Sequence, residues 1–178
     1  MLKGKKVNLR IIEEEDYAEY KEWSNSLEFV GEHFFSRQVS KTEIVKWYSE
    51  RSLDSGTFII EKKDKTKIGV LHFFPTKFGG YCTLTEIGYL LLPDERGKGY
   101  CTEAIKLIVD YLFLLKNIPR IQAVINENNV GSKRVLEKNG FIKEGTLRKM
   151  GFIRGKYGDG TIYSLLREEW KGPHILGK

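Results

Sequence analysis

The sequence predicts an α/β fold of the α+β kind, with helices packed on a mixed, largely antiparallel central sheet. Three observations predict it. Short apolar runs separated by Lys/Asp/Gly-rich turns fill residues 57–92 and suit consecutive hairpins. Directly after them Ala104, Ile108, Tyr111 or Leu112, and Leu115 recur at three- and four-residue intervals, the stripe of a helix lying on a core. Strand-like runs then return on both sides of a short polar helix between residues 121 and 166.

Taken in order, a first strand is expected at about Lys6–Ile11. An acidic cluster from Glu13 to Asp16 then opens a helix carrying Tyr17, Tyr20 and Trp23 at helical spacing. Residues from Ser24 to Gln38 read as a loop. Ser40-Lys-Thr-Glu43 has the Ser-x-x-Glu form of a capping box ahead of Ile44, Trp47 and Tyr48, which predicts a second helix. Strands follow at about Thr57–Lys62, Lys67–Phe74 and Cys82–Leu92, and the long helix begins at Gly99. Ile121–Ile125 is a short strand and Gly131–Lys138 a short helix, which Asn139-Gly140 ends by supplying a left-handed residue. Strands at about Phe141–Lys149 and Thr161–Leu166 complete the sheet.

With 178 residues, no linker and no internal repeat, residues 1–178 are expected to form one domain. No apolar run approaches the roughly 20 residues of a bilayer span and the first residues lack the apolar core of a signal peptide, so the expected place is the cytoplasm, without a membrane. Thirty basic against twenty-four acidic side chains give a formal charge of +6, spread along the chain. That excess suits a site for a polyphosphate, a ribosomal neighbour or, best, a merely solvated surface; without a basic stripe, nucleic acid is disfavoured as a partner. Cys82 and Cys101 have neither CxxC nor Cys/His spacing, so both are expected to be reduced and no metal site is expected.

The segment from Glu86 to Ala104 (EIGYLLLPDERGKGYCTEA) is a strand, a glycine-bearing turn and a helix start. Such a turn binds phosphate: the first N–H groups of a helix have no internal partners and lie at its positive end, and Gly97 and Gly99 let an anion approach the main chain. Arg96 and Lys98 add charge there. A hairpin turn with chance glycines competes with this reading. A Rossmann fingerprint and a nucleotide P-loop fail on spacing. Farther on, Asn129, Ser132 and Leu136 lie three and four apart, so one face of the short helix presents them together. Asn129 and Ser132 either serve only as a helix cap or meet a ligand.

RGKGYC resembles the [Q/R]-x-x-G-x-[G/A] signature of the GNAT superfamily of N-acetyltransferases, and the segment from Asn129 to Phe141 (NVGSKRVLEKNGF) resembles its second cofactor segment, N-x-x-S, helix, G-F. The chain ends, VNLRIIEEEDY and RGKYGDGTIYSLLREEW, resemble the branch that holds the ribosomal-protein N-terminal alanine acetyltransferases. The resemblance implies a sheet splayed between the strands that hold the cofactor, and acetyl-coenzyme A as co-substrate without a metal. It implies cradling of the pyrophosphate by Arg96, Gly97, Lys98, Gly99, Tyr100, Cys101 and Thr102. Tyr89, Leu90 and Leu91 would run beside the pantetheine arm, and Asn129 and Ser132 would border its far side. Cys101 departs from the signature's Gly or Ala.

The reaction so implied is acetyl transfer to a primary amine. The first reading of the acceptor is a protein N-terminus, whose α-amino pKa lies about 2.4 units below that of lysine. The alternatives are a small amine (polyamine, aminoglycoside or amino sugar) and, in a different class, a coenzyme A-binding regulatory domain without catalysis; the chain would be a monomer or homodimer. Glu86 is the candidate base, upstream of the turn on the same strand, and a backbone N–H near Leu90 or Leu91 would polarise the thioester carbonyl. Many relatives carry a tyrosine where this chain has Leu136, so Ser132 is the candidate proton donor, with Tyr157 and Tyr163 as alternatives. The acceptor wall is expected around Trp23, Glu28, Glu32, His33, Phe34 and Phe35, with His33 a lesser candidate for the base. Anionic walls for a polyamine would come from Glu13 to Asp16, Glu28 and Glu32.

Overall fold

The computed structural model describes residues 1–34, 37–50, 52–78 and 82–175, and only the backbone of Phe78, Cys82 and Thr83. In chain order its elements are β1 (Leu2–Lys3), β2 (Val7–Ile11), α1 (Tyr17–Asn25), α2 (Leu27–Val30), α3 (Lys41–Ser49), β3 (Gly56–Lys62), β4 (Lys67–Phe78), β5 (Cys82–Leu91), α4 (Tyr100–Leu115), β6 (Arg120–Asn126), α5 (Val130–Lys138), β7 (Ile142–Ile153) and β8 (Lys156–Leu166). The eight strands form one sheet in the order β1-β2-β3-β4-β5-β6-β8-β7. Every neighbouring pair is antiparallel except β5 and β6, which α4 connects as a parallel pair. This is the mixed, largely antiparallel sheet that the sequence predicts. No described helix is long and apolar enough to cross a membrane.

Alternation along the strands decides what each face meets. Phe58 and Ile60 of β3, Leu71 and Phe73 of β4, and Ile87 and Leu91 of β5 pack with Ile105, Ile108 and Leu112 of α4. Their neighbours Ile59 and Val70 turn the other way and join Trp23, Phe29 and Val30 under α1 and α2, with Tyr17, Tyr20 and Tyr48 at the margin. Glu86, Gly88 and Leu90 alternate with Ile87 and Leu91, and pair with Phe74, His72 and Val70 on that same second face.

The gap that matters lies between β5 and β6. They pair only at Thr85 with Ile121 and Glu86 with Gln122, whereas β5 runs on to Leu91 and β6 to Asn126. Beyond Glu86 the two strands separate, so one edge of β5 has no partner strand there. On the other edge, β4 approaches very closely: a Cβ at Gly69 would lie 2.2 Å from the Leu90 carbonyl oxygen and 3.0 Å from the Leu91 Cα. Gly69→Ala is therefore expected to force these backbones apart, a strain of about 1–3 kcal/mol that lowers the melting temperature by roughly 2–12 °C. An unchanged melting curve would show that β4 can yield at this point.

The expected capping box is present: Ser40 Oγ accepts from the Glu43 N–H (3.1 Å) and the Glu43 carboxylate from the Ser40 N–H (2.8 Å). Three features differ from the sequence reading. The stretch read as a loop after Ser24 contains the one-turn helix α2, capped by Ser26, which is too short for a periodic signal. The strand expected to stop at Phe74 runs through Pro75 to Phe78. Proline is tolerated because β3 ends opposite Phe73, so no neighbour needs its missing N–H. The last two strands lengthen into a hairpin whose polar, glycine-rich sequence lacks alternation because β7 is an exposed edge strand.

Candidate active site

Residues 89–91, 96–97, 99–102, 129 and 132 line one cavity of about 510 Å³, which runs from the open side of β5, past the start of α4, to the start of α5. Gly97 and Gly99 have φ of +77° and +85°, and Gly99 is the residue on which α4 begins. Left-handed backbone at these two points turns the chain so that the first N–H groups of a 16-residue helix face the cavity. Nothing lies within 4 Å of a Cβ placed at Gly97. Open space, unpaired N–H groups and flanking cations on α5, Arg134 and Lys138, fit a chain bearing a diphosphate.

The direction of each β5 peptide follows from one bond. Leu92 N–H donates to the Ile68 carbonyl (2.9 Å), so by alternation the N–H of Leu90 also faces β4, and those of Tyr89 and Leu91 face the gap. Of the two positions considered from sequence for the carbonyl-polarising donor, alternation therefore selects Leu91 and adds Tyr89. The Tyr89 phenol reaches the Ser132 carbonyl (3.4 Å) and ties β5 to α5; burial pushes its pKa up, so it stays protonated. Burial likewise pushes the Cys101 thiol up to about 12, against the opposing influence of Arg96. A thiol so held is not a nucleophile at neutral pH, and Cys101→Ala is expected to keep turnover within about twofold of the parent. A hundredfold loss in a thiol-release assay would contradict this.

Two cationic side chains of the turn are engaged elsewhere. Arg96 donates Nε to the Leu91 carbonyl (3.1 Å) and Nη2 to the carbonyls of Phe29 (2.6 Å) and Glu28 (3.3 Å), which fastens the turn to the end of α2. Lys98 pairs with Glu95 (2.9 Å), and its carbonyl accepts from Lys6 Nζ (3.2 Å). Lys6 is the cation that sequence reading missed: its ammonium stands 3.4 Å from where a Gly99 Cβ would lie. It is placed by Glu103 of α4, whose carboxylate accepts from the N–H groups of Lys5 (2.8 Å), Lys6 (2.7 Å) and Val7 (2.7 Å).

On α5, Asn129 Oδ1 accepts from the Ser132 N–H (3.0 Å), so Asn129 caps the helix at the cavity rim. Leu136 does not share that rim; it is fully buried in the core against α4. Tyr163 is buried in the same core and Tyr157 is exposed against Phe152, so neither reaches the cavity.

Glu86 lines a second cavity of about 800 Å³ that shares residues 87–90 with the first. Its Oε2 accepts from Gln122 Nε2 (2.8 Å) and Thr76 Oγ1 (3.4 Å). Its walls include Tyr20, Phe34, Trp47, Phe74 and Phe152, and Asp159, whose Oδ1 accepts from the Lys149 N–H (2.7 Å), lines it as well. Arg37 also lines it but sits over the Trp47 ring (4.9 Å) and pairs with Glu43 (3.4 Å). His33 and Phe34 are in both walls as expected, whereas Trp23 is buried under α2 and Phe35 lies outside the described residues.

The acidic cluster at the start of α1 is not part of either wall. Burial alone would raise the Asp16 carboxyl, but the Arg10 guanidinium (2.9 Å) and the Lys67 ammonium (2.8 Å) hold it well below the usual carboxylate range, as a structural ion cluster. Asp159 and Glu86 carry the negative charge of the second cavity instead. Asp159 became part of it only through the pairing of β7 with β8, which no local pattern announces. Among the described residues no group of three or more His, Cys, Asp or Glu side chains is arranged to hold a metal. Cys101 is free, and the Cys82 side chain lies outside the described residues.

Residues 6–142 match the acetyltransferase (GNAT) domain family. The chain is 31% identical to "Probable N-acetyltransferase YjcK" of Bacillus subtilis (strain 168), over 95% of this chain and 98% of that protein. A spermidine N-acetyltransferase from Vibrio cholerae, solved in complex with CoA and spermine, has the same fold. Its TM-score is 0.81 at 23% identity, over 92% of this chain and 97% of that one. A spermidine N(1)-acetyltransferase of Vibrio cholerae is 24% identical over 92% of this chain. These full-length likenesses correct the expected placement in the branch of the ribosomal-protein N-terminal alanine acetyltransferases: the strand and helix-start patterns at the chain ends are common to the fold and do not mark that branch. Sequence match, splayed strands and glycine-led helix thus converge, and the chain belongs to the GNAT family as an acetyl-CoA-dependent acyltransferase.

Proposed function

We propose that the chain acetylates a primary amine of a small molecule, with a polyamine as the acceptor class. The observation that carries this reading is the composition of the second cavity: two carboxylates, Glu86 and Asp159, line it together with the aromatic side chains Tyr20, Phe34, Trp47, Phe74 and Phe152. One carboxylate meets the reacting amine and the other a distant ammonium, while the rings favour the cationic chain between them. The spermidine acetyltransferases of the same fold support the same acceptor class.

Acetyl-CoA supplies an acetyl thioester whose carbonyl must be polarised and whose sulfur leaves as a thiolate. The first cavity would hold its phosphates on the main chain from Arg96 to Thr102, with Lys6 beside Gly99, and its pantetheine arm along Tyr89 to Leu91. The N–H groups of Tyr89 and Leu91 face the gap and serve as donors to the carbonyl oxygen. Glu86 accepts the proton of the amine, directly or through water, and the Ser132 hydroxyl passes a proton to the sulfur and takes one back from water. Asn129 supports that hydroxyl by fixing the first turn of α5.

An alkylammonium has a pKa near 10, so at pH 7 roughly one molecule in a thousand is neutral. With spermidine, kcat/KM is expected to rise as pH increases from 7 to 9 as that fraction grows. A thiol-release assay over spermidine, spermine, an amino sugar, an aminoglycoside and Ala- or Ser-initiated peptides tests the acceptor. Preference for the polyamines supports the reading; turnover confined to the peptides overturns it.

A further inference from the structure

We propose that His72 is an acceptor-binding residue that fixes the reacting amine opposite Glu86; this rests on the reading of the second cavity as the amine site. His72 on β4 pairs directly with Gly88 on β5, and Glu86 is two residues before Gly88. The imidazole and the carboxylate are therefore diagonal neighbours on one face of the sheet, with roughly 7–8 Å between their backbones. Nothing lies within 4 Å of a Cβ placed at Gly88. Between a ring on one side and a carboxylate on the other, the bare glycine leaves room for a ligand, and both side chains line the same cavity.

The ring is held from behind. His72 Nδ1 is 2.9 Å from Thr57 Oγ1, which also accepts from the Tyr48 hydroxyl (3.2 Å), and Tyr20 packs edge-on against the imidazole (5.9 Å between centroids). A threonine oxygen has two lone pairs. With Tyr48 on one, the other is free to take the His72 Nδ1–H, and in the tautomer that the proposal requires Nε2 is the acceptor for the amine. Burial pushes the imidazole down to about 4, so the ring is neutral wherever the enzyme has a neutral amine to use. A neutral ring accepts an N–H of the amine without repelling the other ammonium groups of a polycation. Glu86 then removes the proton while His72 keeps the nitrogen lone pair directed at the gap between β5 and β6.

The test compares steady-state kinetics of the whole protein with His72→Phe, which keeps a flat ring without nitrogen, and His72→Gln, whose amide oxygen stands near the position of Nε2. For the best amine of the acceptor panel, His72→Phe is expected to raise KM at least tenfold. KM for acetyl-CoA should stay within twofold of the parent. His72→Gln should recover part of the loss, and ¹⁵N NMR of the parent should find the proton on Nδ1. Amine KM within twofold of the parent in a folded His72→Phe protein, or in His72→Gln if the phenylalanine variant does not fold, overturns the inference while the acceptor reading stands. A proton found on Nε2 overturns the stated tautomer and with it the accepting role. A parent that acetylates no amine of the panel overturns both.

Discussion

A Gly99→Val protein is expected to fold and to lose measurable affinity for acetyl-CoA, with Kd raised at least a hundredfold. Gly99 sits at φ +85° as the residue from which α4 starts. A β-branched side chain resists that conformation by about 1–2 kcal/mol or more, and its methyl groups would stand where an anion meets the helix N–H groups, next to Lys6 Nζ. Acetyl-CoA should stabilise the parent by mass action and leave the variant's melting temperature unmoved. Gly99→Asn separates strain from obstruction, because asparagine tolerates the left-handed region. Retained binding in Gly99→Asn assigns the loss to backbone strain, and loss in both assigns it to the added side chain. A folded Gly99→Val protein with parental affinity would move the phosphate cradle to another part of the molecule.

Glu86→Gln is expected to lower kcat by about 10² or more while the affinity for acetyl-CoA stays near that of the parent. The amide is nearly isosteric, so the neighbours at Gln122 and Thr76 keep a partner and the splay after Glu86 is preserved. What disappears is the ability to take a proton and the negative charge facing the amine. A loss in kcat assigns the proton-accepting role, and a rise in amine KM alone would reduce Glu86 to a binding carboxylate. Unchanged kinetics would remove it from the site.

The coenzyme side was legible in the sequence because its physics is local. A phosphate cradle needs glycines at the start of a helix, and Gly97 and Gly99 stand two residues apart immediately before a strong apolar stripe. Asn129 and Ser132 are likewise adjacent on one helical turn. The acceptor side was not legible in this way. His72 joins Glu86 only through the β4–β5 register, and Asp159 reaches the cavity only because β8 pairs with both β6 and β7. Helix α2, one turn long, gave no periodicity, so neither the wall it forms nor the two carbonyl bonds that Arg96 makes to it had a sequence signal. Charge misled in the same region: of the acidic run at residues 13–16, Asp16 is consumed by Arg10 and Lys67 and the other three lie outside both cavities, while Glu86 and Asp159 line the second one.

The Glu103 clasp makes the cofactor turn depend on distant parts of the chain. Its carboxylate holds N–H groups 96–98 positions away in the chain. Closing a loop of that size costs about 4 kcal/mol in chain entropy on the logarithmic scaling alone. Bonds to a charged acceptor of about 1.5–3 kcal/mol each can hold the contact once made but do not search for it. The search is done by the sheet, when β2 pairs with β3 and brings residues 5–7 to α4. Lys6 therefore stands beside Gly99 only by way of the sheet, and a cradle whose glycines are plainly written in one stretch of the sequence takes its extra cation from the start of the chain.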